Sequence, residues 1–209
     1  MGFRERLLNL CAKPKGFFGR RILRRMNVSH AELADWGVSH VRTESPKEIL
    51  DVGCGGGRHL YALLTRYPEA NGTGIDCMPL AVGMTKRFNR EFIKAGRCAV
   101  KQGDVSRLEL PDEKFDLVTA FETVYFWPDL ISCFKQVARV MKPGGLFLIV
   151  HETDGLDPKG REFEKIIDIM TAYTAEELED ALRAAGFSDT SAVHHPSNPW
   201  IAVSARKPG

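Results

Sequence analysis

One stretch of this sequence decides the fold: Glu48-Ile49-Leu50-Asp51-Val52-Gly53-Cys54-Gly55-Gly56-Gly57-Arg58-His59. It predicts a short buried strand, then a glycine turn, then a helix that starts at Arg58 and ends near Tyr67. The glycines permit positive φ angles and allow a ligand to lie against bare main chain. The N-terminal N–H groups of the helix point towards such a ligand. A strand, a glycine-rich turn and a helix in this order are typical of nucleotide-binding sites.

Length and composition set limits on the class of protein. The 209 residues predict one domain, with enough core to fold alone. No apolar run approaches the ~20 residues that a membrane span needs, and the charges of Arg4, Glu5 and Arg6 argue against a signal peptide. The five cysteines form no C-x-x-C pair and show no zinc spacing, so we expect reduced thiols, a cytoplasmic location and no metal site.

The charge is concentrated in the first 30 residues. They hold eight Lys and Arg residues and one Glu, a net +7 against +2 for the whole chain. Apolar residues lie between the basic ones at helical spacing, and they form a stripe of Phe17, Phe18, Ile22, Leu23 and Met26. We therefore divide the chain into an N-terminal helical arm or lid, residues 1–45, and a main domain, residues 46–209. We expect the stripe to be buried over the binding site, although an arm that covers a sheet edge is an equal alternative.

The main domain predicts an α/β fold, because strand and helix patterns alternate along it. Strands are expected at residues 49–52, 71–76, 97–103, 115–121, 146–150, 187–194 and 200–206. The main helices are expected at residues 58–67, 79–95, 128–141 and 174–185, and those of the arm at 3–10, 17–27 and 30–37, the last capped by Ser29. The fold class is a Rossmann-like, doubly wound, seven-stranded sheet in a three-layer α-β-α sandwich. It is mostly parallel, with an antiparallel C-terminal strand.

A polar or aromatic residue follows each expected strand end. Asp51 ends the first strand, and Asp76 ends the second, 25 residues later, near the spacing at which an acid accepts hydrogen bonds from ribose hydroxyls. Asp104 follows the third strand, and Phe121 ends the fourth. Since a ligand of an open α/β sheet touches several strand ends, we expect these residues to share one site.

The G-x-G-x-G turn, preceded by Asp51, resembles the first motif of the class I S-adenosylmethionine-dependent methyltransferases. Four later segments resemble further motifs of that family in the right order: Asp76, Gly103-Asp104-Val105, Phe115-Asp116-Leu117-Val118 and Met141-Lys142-Pro143-Gly144-Gly145. The resemblance implies S-adenosylmethionine as cofactor and S-adenosylhomocysteine as product. It also implies that the cofactor contacts the residues Asp51, Gly53, Cys54, Gly55, Gly57, Asp76, Cys77, Met78, Asp104, Val105 and Phe121.

Within this resemblance, each part of the cofactor has an expected partner. The glycine turn passes under its amino-acid part, Asp76 binds the ribose and Asp104 the adenine amine. Met78 stacks on adenine, and backbone around Phe121 holds the amino group. The sequence singles out no catalytic residue among the four candidates for a general base: His59, Glu122, Tyr125 and His151.

The sequence predicts the methyl acceptor less specifically than it predicts the cofactor. Four aromatic residues in the stretch 121–127 favour a small-molecule acceptor that is apolar or planar, and the arm arginines fit an anionic one. Nucleic acid is disfavoured, because the basic residues alternate with apolar ones and the N/D-P-P-Y motif is absent after the fourth strand. Two alternatives stay open: an RNA- or other nucleic-acid-binding methyltransferase that uses the basic arm, and a non-catalytic protein that only binds the cofactor.

Overall fold

A computed structural model describes residues 16–209, which form a seven-stranded sheet with helices on both faces. The strands are β1 Glu48–Val52, β2 Asn71–Asp76, β3 Cys98–Gln102, β4 Phe115–Phe121, β5 Met141–His151, β6 Ser188–His194 and β7 Ile201–Arg206. The helices are α1 Gly16–Ser29, α2 Ala31–Ser39, α3 Arg58–Arg66, α4 Pro79–Phe88, α5 Arg90–Lys94, α6 Leu130–Val140, α7 Pro158–Ile166 and α8 Ala175–Ala184. A 3-10 helix, Val124–Phe126, follows β4.

The strands lie in the order β3-β2-β1-β4-β5-β7-β6. Strands β1, β2 and β3 extend the sheet in one direction and the later strands extend it in the other direction, so the order of the strands reverses between β1 and β4. Strands β1 to β5 are parallel, and β7 is antiparallel to both β5 and β6. The predicted fold class is therefore confirmed. The carboxyl ends of β1 and β4 are neighbours at the reversal point, where an open α/β sheet leaves a crevice for ligands.

Side chains of the central strands alternate between two buried clusters. Leu50, Val118 and Phe147 pack on one face with residues of α6 and α8. Ile49 and Leu117 pack on the other face with residues of α2 and α3. Because neighbouring residues of a strand point to opposite faces, this alternation gives the three-layer arrangement and buries β1, β4 and β5 on both sides.

Two of the predicted helix boundaries are wrong. The expected helix over residues 79–95 is two helices, α4 and α5, which meet at Asn89. The Asn89 side chain is buried and donates a hydrogen bond to the carbonyl oxygen of Gly57, 2.9 Å away, so the break attaches this segment to the glycine turn. Ser29 is not an N-cap, because it ends α1 and its hydroxyl donates back to the carbonyl oxygen of Met26.

Other boundaries differ where the sequence signal is weak or absent. Strand β5 begins at Met141 rather than 146, because Met141 already pairs with Phe115 of β4; an irregular segment that includes Gly144, where φ is +74°, separates this pair from the regular pairing that starts at Leu146. Helix α7 and the 3-10 helix were not predicted. The predicted capping box of α8 is present: Thr174 accepts from the N–H of Glu177, whose side chain accepts from the N–H of Thr174. The helix expected at residues 3–10 lies outside the described residues.

Helix α1 lies across the top of the sheet and packs against α2 and α4. Leu23 is buried, as predicted, and Ile22 and Met26 are half-buried. Burial of the whole stripe is wrong, however, because Phe17 is 75% and Phe18 is 66% exposed. Within residues 16–209, no surface covers these two phenylalanines at the start of the helix. None of the helices formed by residues 16–209 is long and apolar enough to cross a bilayer.

Candidate functional site

A cavity of about 590 Å³ opens over the carboxyl ends of the parallel strands. Its floor is the glycine turn after β1 together with the segments that follow β2, β3 and β4. Helix α1 and helix α7 supply the opposite wall. Nine of the eleven residues predicted to bind a cofactor line this central cavity: Gly53, Cys54, Gly55, Asp76, Cys77, Met78, Asp104, Val105 and Phe121.

The glycines of the turn differ in whether neighbouring atoms leave space for a side chain. Gly53, Gly55 and Gly57 all have φ between +51° and +89°. A Cβ on Gly53 would lie 2.2 Å from Oγ1 of Thr123, and one on Gly57 would lie 2.8 Å from Cα of Thr85. A Cβ on Gly55 would meet nothing closer than 3.8 Å. Packing therefore requires Gly53 and Gly57, whereas Gly55 borders open space in the central cavity.

Asp76 connects the glycine turn to the start of α4. One carboxylate oxygen accepts the N–H of Gly55 at 3.0 Å, and the other accepts the N–H of Met78 at 2.8 Å. Burial raises the pKa of Asp76, while these two hydrogen bonds act in the opposite direction. Each oxygen has a second lone pair, so this geometry leaves Asp76 able to accept further hydrogen bonds from a ligand in the cavity.

The segment after β3 forms a tight polar turn. One oxygen of Asp104 accepts from both the N–H and the hydroxyl of Ser106, at 2.8 and 2.7 Å. Asp104 itself is exposed at the cavity edge, and Val105 beside it is buried. The hydrogen bonds orient the carboxylate, which suits either a local turn or contact with a ligand amine.

Asp51 and Gly57, the other two predicted residues, lie behind the cavity wall. Asp51 is buried and accepts the hydroxyl of Thr119 at 2.9 Å, while its second oxygen has no hydrogen-bond partner in the described structure. Burial raises the pKa of Asp51 to about 7, opposed by the hydrogen bond from Thr119 and reinforced by the nearby charge of Asp76. Gly57 holds α4 in place through Thr85 and Asn89 rather than facing the cavity.

An acid–base cluster occupies the cavity end above β4 and β5. It consists of His30 between α1 and α2, Glu122 and Tyr125 after β4, Glu152 after β5 and Lys159 from α7. Glu122 accepts the N–H of Glu152 at 2.5 Å and the Tyr125 hydroxyl at 3.2 Å. Glu152 also lies 3.4 Å from the Lys159 ammonium and 3.9 Å from Nε2 of His30.

Two histidines considered as bases have different surroundings. The ring of His59, on α3, stacks on Phe121 with centroids 4.4 Å apart, and burial lowers the pKa of His59 to about 3. Burial likewise lowers the pKa of His151 to about 3, and its ring lies 5.0 Å from that of Tyr125, outside the cavity lining. Both rings are therefore neutral near pH 7.

The sequence did not reveal three members of the cluster: His30, Glu152 and Lys159. They come from helices and strand ends that are far apart in the chain, so no local pattern connects them. One signal for α7 was present, the pair Asp157-Pro158, because Asp157 caps the helix and Pro158 occupies its first position. With that helix predicted, Lys159 would have been placed near the ends of the strands.

The comparisons with known proteins match this chain to methyltransferases. Residues 50–149 match the model of a methyltransferase domain. The chain is 32% identical over 150 residues to cycloartenol-C-24-methyltransferase of Arabidopsis thaliana, an alignment covering 68% of this chain and 44% of that protein. It is 29% identical over 153 residues to 27-O-demethylrifamycin SV methyltransferase of Amycolatopsis mediterranei, covering 69% and 55%. The chain thus spans about half the length of these relatives.

Solved structures share the fold at low sequence identity. A methyltransferase in complex with the Haloferax volcanii Trm112 methyltransferase activator has a TM-score of 0.80 at 20% identity, and all of both chains is covered. Phosphoethanolamine N-methyltransferase 2 of Haemonchus contortus, in complex with S-adenosyl-L-methionine, has a TM-score of 0.71 at 16% identity, covering 84% of this chain and 53% of that one. At such identities the likeness establishes the fold alone.

Proposed function

Because the chain belongs to the class I S-adenosylmethionine-dependent methyltransferases, we propose that it transfers a methyl group from S-adenosylmethionine to a small-molecule acceptor. One observation carries this proposal. Residues that follow four different strands, and that were selected from the sequence as cofactor contacts, line a single cavity of about 590 Å³. That volume is within the usual range for a small-molecule site, ~300–1,000 Å³.

The residues present fit the cofactor. The open space beside Gly55 leaves main chain accessible to its amino-acid part. Asp76 would accept hydrogen bonds from the ribose hydroxyls through its remaining lone pairs, Met78 would pack on the adenine, and Asp104 would accept a hydrogen bond from the adenine amine. Backbone around Phe121 would hold the cofactor's amino group. Asp51 lies behind the wall, where it accepts the hydroxyl of Thr119 and where the nearby charge of Asp76 contributes to its raised pKa.

Methyl transfer needs alignment and a dry site more than it needs acid–base chemistry. When bound, the cofactor supplies an activated methyl group on its sulfonium. The protein's part is to hold the acceptor in line with that group and to exclude water. Helix α1 contributes the cover, since Leu23 is buried beneath it and the side chain of Asn27 donates to the carbonyl oxygen of Gly56 at 2.9 Å.

The arm keeps its proposed role as a lid over the acceptor half of the cavity. We propose the boundary between arm and main domain at residue 45, in the segment between α2 and β1. The contact of Asn27 with the glycine turn and the position of His30 at the cavity wall support this role. A cytoplasmic location is also proposed, supported by the thiols of Cys54, Cys98 and Cys133, none of which forms a disulfide within residues 16–209.

Binding of S-adenosylmethionine and S-adenosylhomocysteine by titration calorimetry tests the proposal. We expect micromolar dissociation constants for the wild-type chain. Asp76→Ala should weaken binding by about 1–3 kcal/mol, or roughly 5- to 150-fold, through the loss of charge-assisted hydrogen bonds. The control, Asp180→Ala, removes an exposed acid on α8 that pairs with Arg183. Absence of binding by the wild-type chain would refute the function, and normal binding by Asp76→Ala would remove Asp76 from the site.

A methyltransferase that binds RNA or works with a protein partner is the second candidate. Two observations favour it: Arg20, Arg21, Arg24 and Arg25 are all exposed on α1, and the Haloferax volcanii neighbour was solved with a methyltransferase activator. Filter binding of RNA at low and moderate salt distinguishes it from the main proposal. Submicromolar binding that weakens with salt and is lost on deletion of residues 1–28 would establish a nucleic-acid handle.

A further inference from the structure

We propose that the cavity end above β4 and β5 binds a cationic amine acceptor and that Glu122 is the base that removes its proton before methyl transfer. This inference rests on the proposed methyltransferase function and adds to it the acceptor class and a catalytic residue. The site is the acid–base cluster together with the aromatic side chains beside it. Neither the family match nor the relatives' names assign a role to these residues.

Glu122 is held in an unusual conformation that points it into the cavity. Its φ is +55°, a left-handed value that is uncommon for a residue other than glycine, asparagine or aspartate. The N–H of Glu122 donates to Val150 at 2.9 Å, and two donors, the Tyr125 hydroxyl and the N–H of Glu152, hold its carboxylate. Only 7% of Glu122 is exposed, yet it lines the cavity. Strained, over-determined residues of this kind cluster at functional sites.

The charges around Glu122 leave room for one more cation. The groups that face it are Tyr125, Glu152, His30 and Lys159. The Lys159 ammonium lies beside Glu152, and burial lowers the pKa of His30, so neither fully compensates Glu122. Burial first, and the charge of Glu152 second, raise the pKa of Glu122 well above its usual value. A ligand ammonium would stabilise the ionised form of Glu122, a neutral alcohol would not, and an anion would be repelled.

The wall next to Glu122 suits an ammonium group attached to an apolar body. Tyr125 and Phe126 pack edge to face, and Phe163 and Met170 continue the apolar surface along the cavity. The ammonium of Lys159 already lies 5.4 Å from the ring centre of Phe163. This contact is a cation–π interaction, so the geometry of the wall accommodates a cation over an aromatic face.

The reaction balances without any further reactant. An ammonium beside Glu122 stabilises the ionised carboxylate, so binding releases the proton that Glu122 carries in the free enzyme. The carboxylate then takes one proton from the ammonium, which leaves a neutral nitrogen with a lone pair. A bond forms between this nitrogen and the methyl carbon, while the bond between carbon and sulfur breaks and its electron pair stays on sulfur. The products are a methylated ammonium, S-adenosylhomocysteine and a protonated Glu122.

Binding of matched probes to the complex with S-adenosylhomocysteine tests this inference. The pairs are hexylamine against hexan-1-ol and 2-phenylethylamine against 2-phenylethanol, titrated near pH 7 by calorimetry. We expect each amine to bind at least tenfold more tightly than its alcohol and to release protons, which is measured by comparing buffers of different ionisation enthalpy. Glu122→Gln should reduce the preference to less than threefold, abolish the proton release and leave S-adenosylhomocysteine affinity unchanged. Glu176→Gln, an exposed acid on α8, is the control for net charge.

The outcomes separate this inference from the function on which it depends. If wild-type protein fails to bind S-adenosylhomocysteine, the proposed function fails and the inference fails with it. If the cofactor product binds but the alcohols match the amines, or no probe binds, the acceptor class is wrong while the function stands. If Glu122→Gln loses affinity for S-adenosylhomocysteine, Glu122 belongs to the cofactor half instead. Should that variant be unstable, the amine preference and proton release of the wild-type protein decide the question.

Discussion

Gly55→Ala is the substitution that separates a binding loop from an ordinary turn. The φ of Gly55 is +51°, so an alanine there costs about 1–2 kcal/mol of folding free energy from backbone strain. The added methyl group collides with nothing, since the nearest heavy atom lies 3.8 Å from the position of Cβ. A domain of this size loses about 2–4 °C of melting temperature per kcal/mol. We therefore expect a folded variant whose melting temperature is lower by about 2–8 °C.

The same methyl group would enter the space that we propose for the cofactor. We expect the affinity for S-adenosylmethionine and S-adenosylhomocysteine to fall at least about 30-fold, which corresponds to about 2 kcal/mol. Calorimetric titration gives the affinity, and a thermal melt of the same sample gives the stability. A dissociation constant within threefold of the wild-type value in a folded variant would show that the glycine turn lies away from the cofactor.

Gly57→Ala is the matched control, because it alters the same turn on its buried side. A Cβ at Gly57 would lie 2.7 Å from Nδ2 of Asn89 and 2.8 Å from Cα of Thr85, at a φ of +89°. Main chain cannot move aside as easily as the end of a flexible side chain. This variant should therefore lose more stability than Gly55→Ala, and equal losses in the two variants would contradict the assignment of Gly55 to open space.

Three further substitutions test other parts of the structure. Burial raises the pKa of Asp51 to about 7 in the folded state, against ~3.9 in the unfolded chain, so the folded state binds this proton more tightly. The resulting stabilisation is fully present below the unfolded pKa and is lost as the pH rises through about 7. In urea melts, Asp51→Asn should therefore be more stable than wild type at pH 8, by on the order of a few kcal/mol, but not at pH 4. Asn27→Ala removes the hydrogen bond to Gly56, about 1 kcal/mol, and should speed tryptic cleavage within α1 about fivefold, whereas an unchanged cleavage rate would show that this bond does not hold the helix down. Thr174→Ala removes the cap of α8 and should lower the melting temperature by about 2–4 °C, and no shift would mean that solvent replaces the cap.

The strands could be predicted because short runs of sequence indicate which residues are buried in the sheet. Both Asn71–Asp76 and Phe115–Phe121 have the predicted bounds, since each run ends at a residue that leaves the sheet. The glycine turn was equally clear, because glycine is the residue that tolerates the φ values found there. What the sequence did not separate is which glycine serves packing and which serves a ligand. That distinction depends on Thr85, Asn89 and Thr123, which come from other elements.

The acceptor half of the cavity was predicted poorly for a related reason. Its residues lie on α1, on the segments after β4 and β5, and on α7, and no periodic apolar pattern identifies α7, in which Gly160 is the single buried residue. A cluster assembled from four separate segments has no sequence spacing to detect. The expectation of an anionic acceptor came from the arm arginines, one of which, Arg25, lines the cavity together with Glu122 and Glu152, and it stays a prediction.

Both halves of the central cavity follow one electrostatic rule. Burial raises the pKa values of Asp51, Asp76 and Glu122, so each carboxyl is more costly to ionise here than in water. A cationic ligand offsets that cost, and a neutral one leaves it in place. S-adenosylmethionine carries a positive sulfonium that its product lacks, and the neutral nitrogen of the proposed acceptor becomes a positively charged ammonium in the same transfer. In the proposed arrangement the positive charge therefore moves from the half near Asp76 towards the half near Glu122, within a cavity already biased towards cations.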